Sequence, residues 1–448
     1  MTDDVRQRQA EIRALARLAG DELGGAVEGI AAVHRAIAHR VFAAVRWGVG
    51  PAAAPVELMH DVIAEGVYRV VSGSAAAAGM VAERTADLPG AVPSRTVYGS
   101  GFLAALQGLI GDDLERTRPI LAGPMSFRVD GAPVRADLVG ARVRRPGSHV
   151  VVFLHGLVET EHAWRLGGGP TYAERLESDA GCTALHVRYN SGLHISENAG
   201  QFSELMRCLV EQWPVPIERV SLVGHSMGGL VARGACFQAA EAGLPWVRLV
   251  REVVCLGSPH LGAPLEQLVH YASAALVRVP ETRPFGRLLR RRSAGIRDLR
   301  DGSLVDEDWR DLDVDALRRR VVREVPLLAG AKHYFVTATV TRSPRHPLGR
   351  VVGDGLVLTP SGSGRGRARR IGFDVDHGMH LASAHHFTLL NHEAVYRAQR
   401  GWLAPEAADQ AEEAARGNVV GGGRRGPVAP QRGEQGVEGG GGVGGRRV

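Results

Sequence analysis

Residues 222–235 read LVGHSMGGLVARGA. An apolar run leads into a turn of small residues, and a second apolar run with helical spacing follows it. Within the turn, Ser226 stands between Gly224 and Gly228 in a G-x-S-x-G pattern. Glycines at these positions remove the side chains that would collide with a sharp strand-to-helix turn. The pattern therefore predicts a strained turn that exposes the serine hydroxyl at a helix N-terminus, where developing negative charge is favoured.

Strand-like and helical segments alternate on both sides of this turn. Apolar runs that read as strands occupy residues 149–156, 182–190, 217–224, 250–259 and 333–341, and helical runs occupy 195–211, 227–242 and 387–400. The alternating stretch ADLVGARVRR (136–145) and the stretch RRIGFDVD (369–376) are also predicted strands. Continuous apolar strands that alternate with helices indicate an α/β fold with a mostly parallel central sheet covered on both faces.

The N-terminal part of the chain has a different pattern. Over residues 1–120, apolar residues recur every three or four positions, which predicts helices, including segments near 26–49, 56–71 and 99–114. No catalytic motif occurs there, and the 26–49 segment is too polar to span a bilayer. We expect a helical N-terminal region that serves as a cap or packing domain.

Composition limits the class of protein. The chain has 448 residues and a formal net charge of +6, and from Arg416 onward it holds six arginines against two glutamates. The rest is near neutral, so no nucleic-acid partner is indicated. The four cysteines lie in apolar segments without CxxC spacing and are expected to be small buried hydrophobes. The N-terminus lacks a signal-type apolar stretch, and we expect a cytoplasmic protein.

A serine hydroxyl needs a base, and the base needs an acid. Histidines 377, 380, 385, 386 and 392 follow the predicted sheet, and Asp354 lies in a loop after the strand at 333–341. The chain order serine, aspartate, histidine is the order found when the nucleophile is a serine on such a strand-to-helix turn. Asp374 and Asp376 are rival acids, and a purely turn-forming role for Asp354 before Gly355 stays open.

Residues 150 to about 402 resemble an α/β-hydrolase of the bacterial lipase and esterase group. The matching segments are FLHGL, GHSMGGLVAR, GSPHLGAP, GDGLV and HHFTLLNHEAV. In such lipases a His–apolar–x–Leu–Leu segment carries the catalytic histidine, which selects His386 over His385. An aspartate followed closely by Leu–Val resembles the acid loop and selects Asp354. The resemblance also implies an oxyanion hole formed by the backbone N–H groups of Met227 and Leu157.

The resemblance implies a serine hydrolase that cleaves carboxylic esters, with Ser226, His386 and Asp354 as catalytic triad. The resemblance, the helical periodicity and the composition together divide the chain into a helical region (1–120), a hydrolase domain (121–404) with an insertion at about 265–331, and a disordered Gly/Arg-rich tail (405–448). No cofactor is needed, and the spacing of the C-terminal histidines does not favour a metal site.

Several readings remain open from sequence. The same triad serves acyltransferases, thioesterases and amidases, and a non-catalytic binding protein can keep the fold. If the insertion and the N-terminal helices form an apolar cover, lipid-like esters become the expected substrates. Weak peripheral contact with anionic lipid through the tail or the RGRARR loop is an alternative to plain solvation of these segments. The oligomeric state is not determined by the sequence.

Overall fold

A computed structural model describes residues 3–22, 91–263, 292–310, 322–366 and 369–403. The predicted helices at 26–49 and 56–71, most of the insertion and the tail at 405–448 lie outside these residues. The described residues belong to one compact unit. Among them, no helix is both long enough and apolar enough to cross a membrane.

Eight strands form one sheet in the described part of the chain, in the order β2-β1-β4-β3-β5-β6-β7-β8. They are β1 (Ser126–Val129), β2 (Ala132–Val134), β3 (His149–Leu154), β4 (Thr183–Arg188), β5 (Arg219–His225), β6 (Val250–Leu256), β7 (Lys332–Thr339) and β8 (Gly378–Ala382). Strand β1 pairs antiparallel with β2 and β4, whereas the pairs from β4 through β8 are parallel. The predicted α/β class and mostly parallel sheet are confirmed.

Helices flank the sheet. They are α1 (Asp3–Glu22), α2 (Val97–Thr117), α3 (Pro119–Ala122), α4 (Ala136–Arg142), α5 (Tyr172–Ala180), α6 (Ile195–Gln212), α7 (Met227–Glu241), α8 (Ala294–Leu299), α9 (Pro347–Val352), α10 (Thr359–Gly362) and α11 (Glu393–Leu403). The helix predicted at 387–400 begins as a 3-10 turn at His386–Leu390 and continues as α11.

Strand β3 shows why the sheet is covered on both faces. Val150, Val152 and Leu154 belong to a core cluster that also contains α6 and α7 side chains. The residues between them, Val151 and Phe153, belong to a second cluster with α5 and α11. Successive side chains of a strand point to opposite faces, so a continuous apolar strand requires a cover on each. Full burial of each such side chain stabilises the fold by about 1.5–3 kcal/mol.

Two predicted strands are wrong. The alternating stretch at 136–145 contains helix α4, in which Gly140 packs so closely on Pro214 that an added Cβ would lie 2.4 Å from its Cδ. The stretch at 369–376 forms no strand either. Phe373 is buried and its ring lies 5.3 Å from that of Phe335, while the edge position of the sheet is taken by β8.

Candidate active site

Ser226 occupies a strained turn between β5 and α7. Its φ of 51° and ψ of −119° lie in a region that side-chain-bearing residues rarely adopt. The flanking glycines are required by close backbone approaches. A Cβ on Gly224 would lie 2.3 Å from the Gly229 nitrogen, and a Cβ on Gly228 would lie 2.4 Å from the Leu154 oxygen. The turn therefore presents a partly exposed serine on a scaffold that tolerates only glycine on either side.

His386 and Asp354 form a buried pair. The distance from His386 Nδ1 to Asp354 Oδ2 is 2.8 Å, and the two side chains are 3% and 1% exposed. The backbone N–H of His386 also donates to the Asp354 carbonyl oxygen at 2.9 Å. The imidazole is therefore fixed through both its ring and its main chain, with Nδ1 carrying the proton that the carboxylate accepts.

The Asp354 carboxylate is oriented by its own loop. Its Oδ1 accepts the backbone N–H groups of Leu356 (2.9 Å) and Val357 (2.7 Å), which leaves Oδ2 for the histidine. Gly353 and Gly355 allow the tight turn, with φ values of 61° and 103°. Asp354 thus stabilises a turn through Oδ1 and pairs with His386 through Oδ2, so its role is not purely turn-forming.

Opposing influences act on the pKa of His386. Burial lowers this pKa, but the negative charge of Asp354 and its hydrogen bond outweigh burial, so the pKa lies above its ordinary value. A raised pKa increases the basicity of the imidazole, and Nε2 is the ring nitrogen that remains to accept a proton.

The His386–Asp354 pair and the Ser226 turn meet at the end of β6. The Ser226 N–H donates to the Leu256 carbonyl oxygen at 2.8 Å. The next residue, Gly257, faces the His386 ring so closely that an added Cβ would lie 3.1 Å from Cε1. The rings of His225 and His386 are 4.6 Å apart. The fold therefore brings Ser226, His386 and Asp354 to one place, although they are far apart in sequence.

The rival residues are placed differently. His385 is half-buried, and its Nδ1 has no hydrogen-bond partner within the described residues. Asp374 and Asp376 are exposed, and the N–H of Asp376 donates to an Asp374 carboxylate oxygen at 3.1 Å. His386, the histidine that the family pattern selected, is therefore the one that pairs with a buried acid, Asp354.

The two predicted oxyanion donors belong to two segments that meet at the serine. Met227 is the first residue of α7, so its N–H is one of the amides that a helix leaves without an internal acceptor. Leu157 follows His155–Gly156 in the loop after β3, and a Cβ on Gly156 would lie 3.0 Å from Ser226 Cβ. This loop, residues 155–159, is called the oxyanion loop below.

His155 acts inside the oxyanion loop as a hydrogen-bonding residue. Its Nδ1 donates to the Gly156 carbonyl oxygen at 2.8 Å, and its Nε2 accepts the Tyr189 N–H at 3.3 Å. The Tyr189 hydroxyl donates to the His155 carbonyl oxygen at 2.6 Å. Complete burial lowers the pKa of His155 to about 4, so the ring is neutral. These bonds hold the loop against β4.

One family model matches part of the chain. A family model described as the PGAP1-like alpha/beta domain matches residues 187–312, which contain β5, the serine turn and β6. The chain has an α/β-hydrolase fold. No curated protein matches the sequence.

Solved structures that show some similarity to this chain include a lipase, a thioesterase and a phospholipase. The lipase BlEst2 of Bacillus licheniformis, in propeptide form, is 16% identical with a TM-score of 0.40; the match covers 59% of this chain and 52% of the lipase, about half its length. The RedJ thioesterase of Streptomyces coelicolor is 17% identical (TM-score 0.30; 56% and 89% covered). Phospholipase PlaB of Legionella pneumophila is 16% identical (TM-score 0.31; 48% and 45% covered). These likenesses concern the fold alone.

Glu159 is a site residue that sequence reasoning missed. Its carboxylate accepts the Gly156 N–H at 2.6 Å and a hydrogen bond from His225 Nδ1 at 2.9 Å. Burial raises its pKa, but His225 and the Gly156 N–H outweigh burial and leave the pKa below its ordinary value. The sequence feature that could have identified Glu159 is its place, as an acidic residue, in a loop that the α/β-hydrolase pattern puts beside the nucleophile.

Helices α2 and α8 pack close to the two predicted oxyanion donors. A Cβ on Gly108 of α2 would lie 2.2 Å from Val158 Cγ1, next to Leu157. A Cβ on Gly295 of α8 would lie 3.2 Å from Met227 Cε. The N-terminal region and the insertion therefore both contribute contacts at the site. The predicted domain boundary near residue 120 stays a prediction.

Histidine, cysteine and acidic side chains are spread over the described part of the chain. There, no cluster of three or more His, Cys, Asp or Glu side chains is placed to hold a metal ion. Cys182, Cys236 and Cys255 are free and buried, and Cys208 is free and partly exposed. Burial raises the pKa of each of the three buried thiols to about 12, which keeps them protonated and unreactive.

Proposed function

We propose that this protein is a serine hydrolase that cleaves carboxylic esters through an acyl-enzyme. The observation that carries the proposal is the buried His386–Asp354 pair beside the strained Ser226 turn. A carboxylate that fixes one imidazole nitrogen leaves the other to act on a hydroxyl, and a serine held out at a sharp turn supplies that hydroxyl.

The proposed reaction follows from these positions. Ser226 Oγ attacks the ester carbonyl carbon while His386 Nε2 takes the hydroxyl proton. The Leu157 and Met227 N–H groups donate to the oxygen that becomes negative, and Asp354 stabilises the imidazolium. When the carbon–oxygen bond of the ester breaks, the imidazolium gives its proton to the departing alcohol. A water then attacks the acyl-serine by the same route and releases the acid.

Labelling with a fluorophosphonate probe tests the proposal directly. We expect the folded protein to be labelled at one site and the label to be absent in Ser226→Ala, because the probe reacts only with an activated serine. Buried Ser258 provides the control, since Ser258→Ala should retain the label. A folded protein that takes no label would contradict the proposal and favour the non-catalytic binding protein.

Lipid-like esters are the proposed substrate class. Val158, within the oxyanion loop, and Leu109, next to Gly108 of α2, are half-exposed, so apolar surface is available near the proposed reacting atoms. Burying it against an acyl chain is worth about 0.8 kcal/mol per CH₂. Across p-nitrophenyl esters we therefore expect kcat/KM to rise from acetate to medium-chain acyl groups. A highest kcat/KM for the acetate or for charged esters would contradict this substrate class while leaving the reaction type intact.

A further inference from the structure

One buried carboxylate connects the two halves of the proposed machinery. Glu159 Oε2 accepts a hydrogen bond from the Gly156 N–H of the oxyanion loop and another from His225 Nδ1. His225 is the residue immediately before Ser226. The Glu159 side chain is 7% exposed and that of His225 is fully buried. A buried carboxylate with two donors at these distances is strongly held, because both bonds are charge-assisted and screened from water.

His225 extends the connection to the main chain of His386. Its Nε2 lies 3.3 Å from the His386 carbonyl oxygen, while its Nδ1 faces Glu159. Both ring nitrogens of His225 thus face acceptors, so the ring bridges the Glu159 carboxylate and the main chain of His386. Trp164 and Phe387 lie 6.3 and 6.4 Å from the His225 ring and hold it in place.

We infer that Glu159 is a positioning residue that sets the spacing between the oxyanion loop and His386. The inference rests on the proposed function and deepens it. Through Gly156, Glu159 holds the loop that presents the Leu157 N–H. Through His225, it holds the backbone of the residue whose imidazole moves the proton. A misplacement of about 1 Å at either end costs on the order of 10²-fold in rate.

The inference predicts a loss in kcat with KM nearly unchanged. The oxyanion and the transferred proton exist only in the transition state, so their alignment does not contribute to ground-state binding of the ester. Glu159→Ala removes the hydrogen bonds to both Gly156 and His225, and we expect its kcat to fall about 10²-fold, as when one oxyanion donor is lost. Glu159→Gln keeps an oxygen that can accept the Gly156 N–H but loses the negative charge that faces His225 Nδ1. Its kcat should fall about 10-fold, between Glu159→Ala and the unchanged protein.

A second buried carboxylate supplies the matched control. Glu252 pairs with Arg219 at 2.7 Å and its side chain is 5% exposed, but Arg219 opens β5 at the strand end opposite Ser226. Glu252→Gln therefore also removes a buried charge and should lower the melting temperature while kcat stays within about threefold. This comparison separates a positioning role from a general loss of stability.

The outcomes distinguish the positioning role of Glu159 from the proposed hydrolase function. If Glu159→Gln is folded and its kcat matches that of Glu252→Gln, the positioning role is overturned, whereas Ser226-dependent labelling keeps the proposed function. If Glu159→Ala does not fold, Glu159→Gln alone decides. If the unchanged protein neither hydrolyses esters nor takes the probe, the proposed function fails first. An equal rise in KM for both Glu159 variants, without a change in kcat, also overturns the inference.

Discussion

Replacing His386 with alanine is expected to lower kcat for a p-nitrophenyl ester by at least about 10⁴-fold. His386 is the proposed proton acceptor for Ser226, and in serine hydrolases loss of the base alone costs nearly as much as loss of the whole triad. The residual rate should reflect only substrate binding and the oxyanion donors. The measurement is kcat at saturating ester, with the melting temperature recorded in parallel.

His385→Ala is the matched control for this variant. His385 has the same side chain one position earlier, is half-buried, and its Nδ1 has no hydrogen-bond partner in the described part of the chain. Its kcat should stay within about threefold of the unchanged protein. If His385→Ala loses as much activity as His386→Ala, or His386→Ala keeps a tenth of the activity, the assignment of the base is wrong.

The serine turn could be predicted because its sequence pattern is local. One glycine on each side of a serine, between a buried strand and a helix, marks the turn. The constraint on Gly224 arises within the turn, where an added Cβ would lie 2.3 Å from the Gly229 nitrogen, whereas Gly228 is constrained by Leu154 of β3. The parallel direction of β3 through β7 was also predictable, because continuous apolar runs between helices are typical of a parallel sheet covered on both faces. Both predictions depend on neighbours in sequence.

Glu159 and strand β8 escaped prediction because their environment is assembled from distant segments. Glu159 and His225 are 66 residues apart, and nothing near either indicates that they meet. Strand β8 contains Gly378 and His380 and is only partly buried, since it lies at the edge of the sheet. Its pattern is therefore weaker than that of 369–376, although only β8 pairs with β7. Tertiary pairing overrides strand propensity at such edges.

Asp354→Asn is expected to lower kcat by about 10⁴-fold while the acid loop stays in place. Asparagine keeps one oxygen to accept the Leu356 and Val357 N–H groups, so its NH₂ group then faces His386 Nδ1. A donor at that position requires Nδ1 to be the acceptor and moves the proton to Nε2. The histidine then holds the tautomer that cannot accept the Ser226 proton.

The same variant should shift the pH dependence of kcat/KM toward lower pH. The active form of His386 is the neutral imidazole, so kcat/KM rises with pH and reaches half of its plateau at the His386 pKa. Asp354 raises this pKa above its ordinary value against the opposing effect of burial. Without that charge, burial dominates, the pKa falls, and the neutral form persists at more acidic pH.

Profiles of kcat/KM between about pH 5 and 9 measure this shift, with exposed Asp374→Asn as the control that keeps the original midpoint. A midpoint that stays in place in Asp354→Asn would mean that another acid raises the His386 pKa. A midpoint that rises would mean that the titrating group is not a histidine held protonated by a carboxylate. A low plateau together with a lower midpoint is the combination expected when one carboxylate both orients the imidazole and raises its pKa.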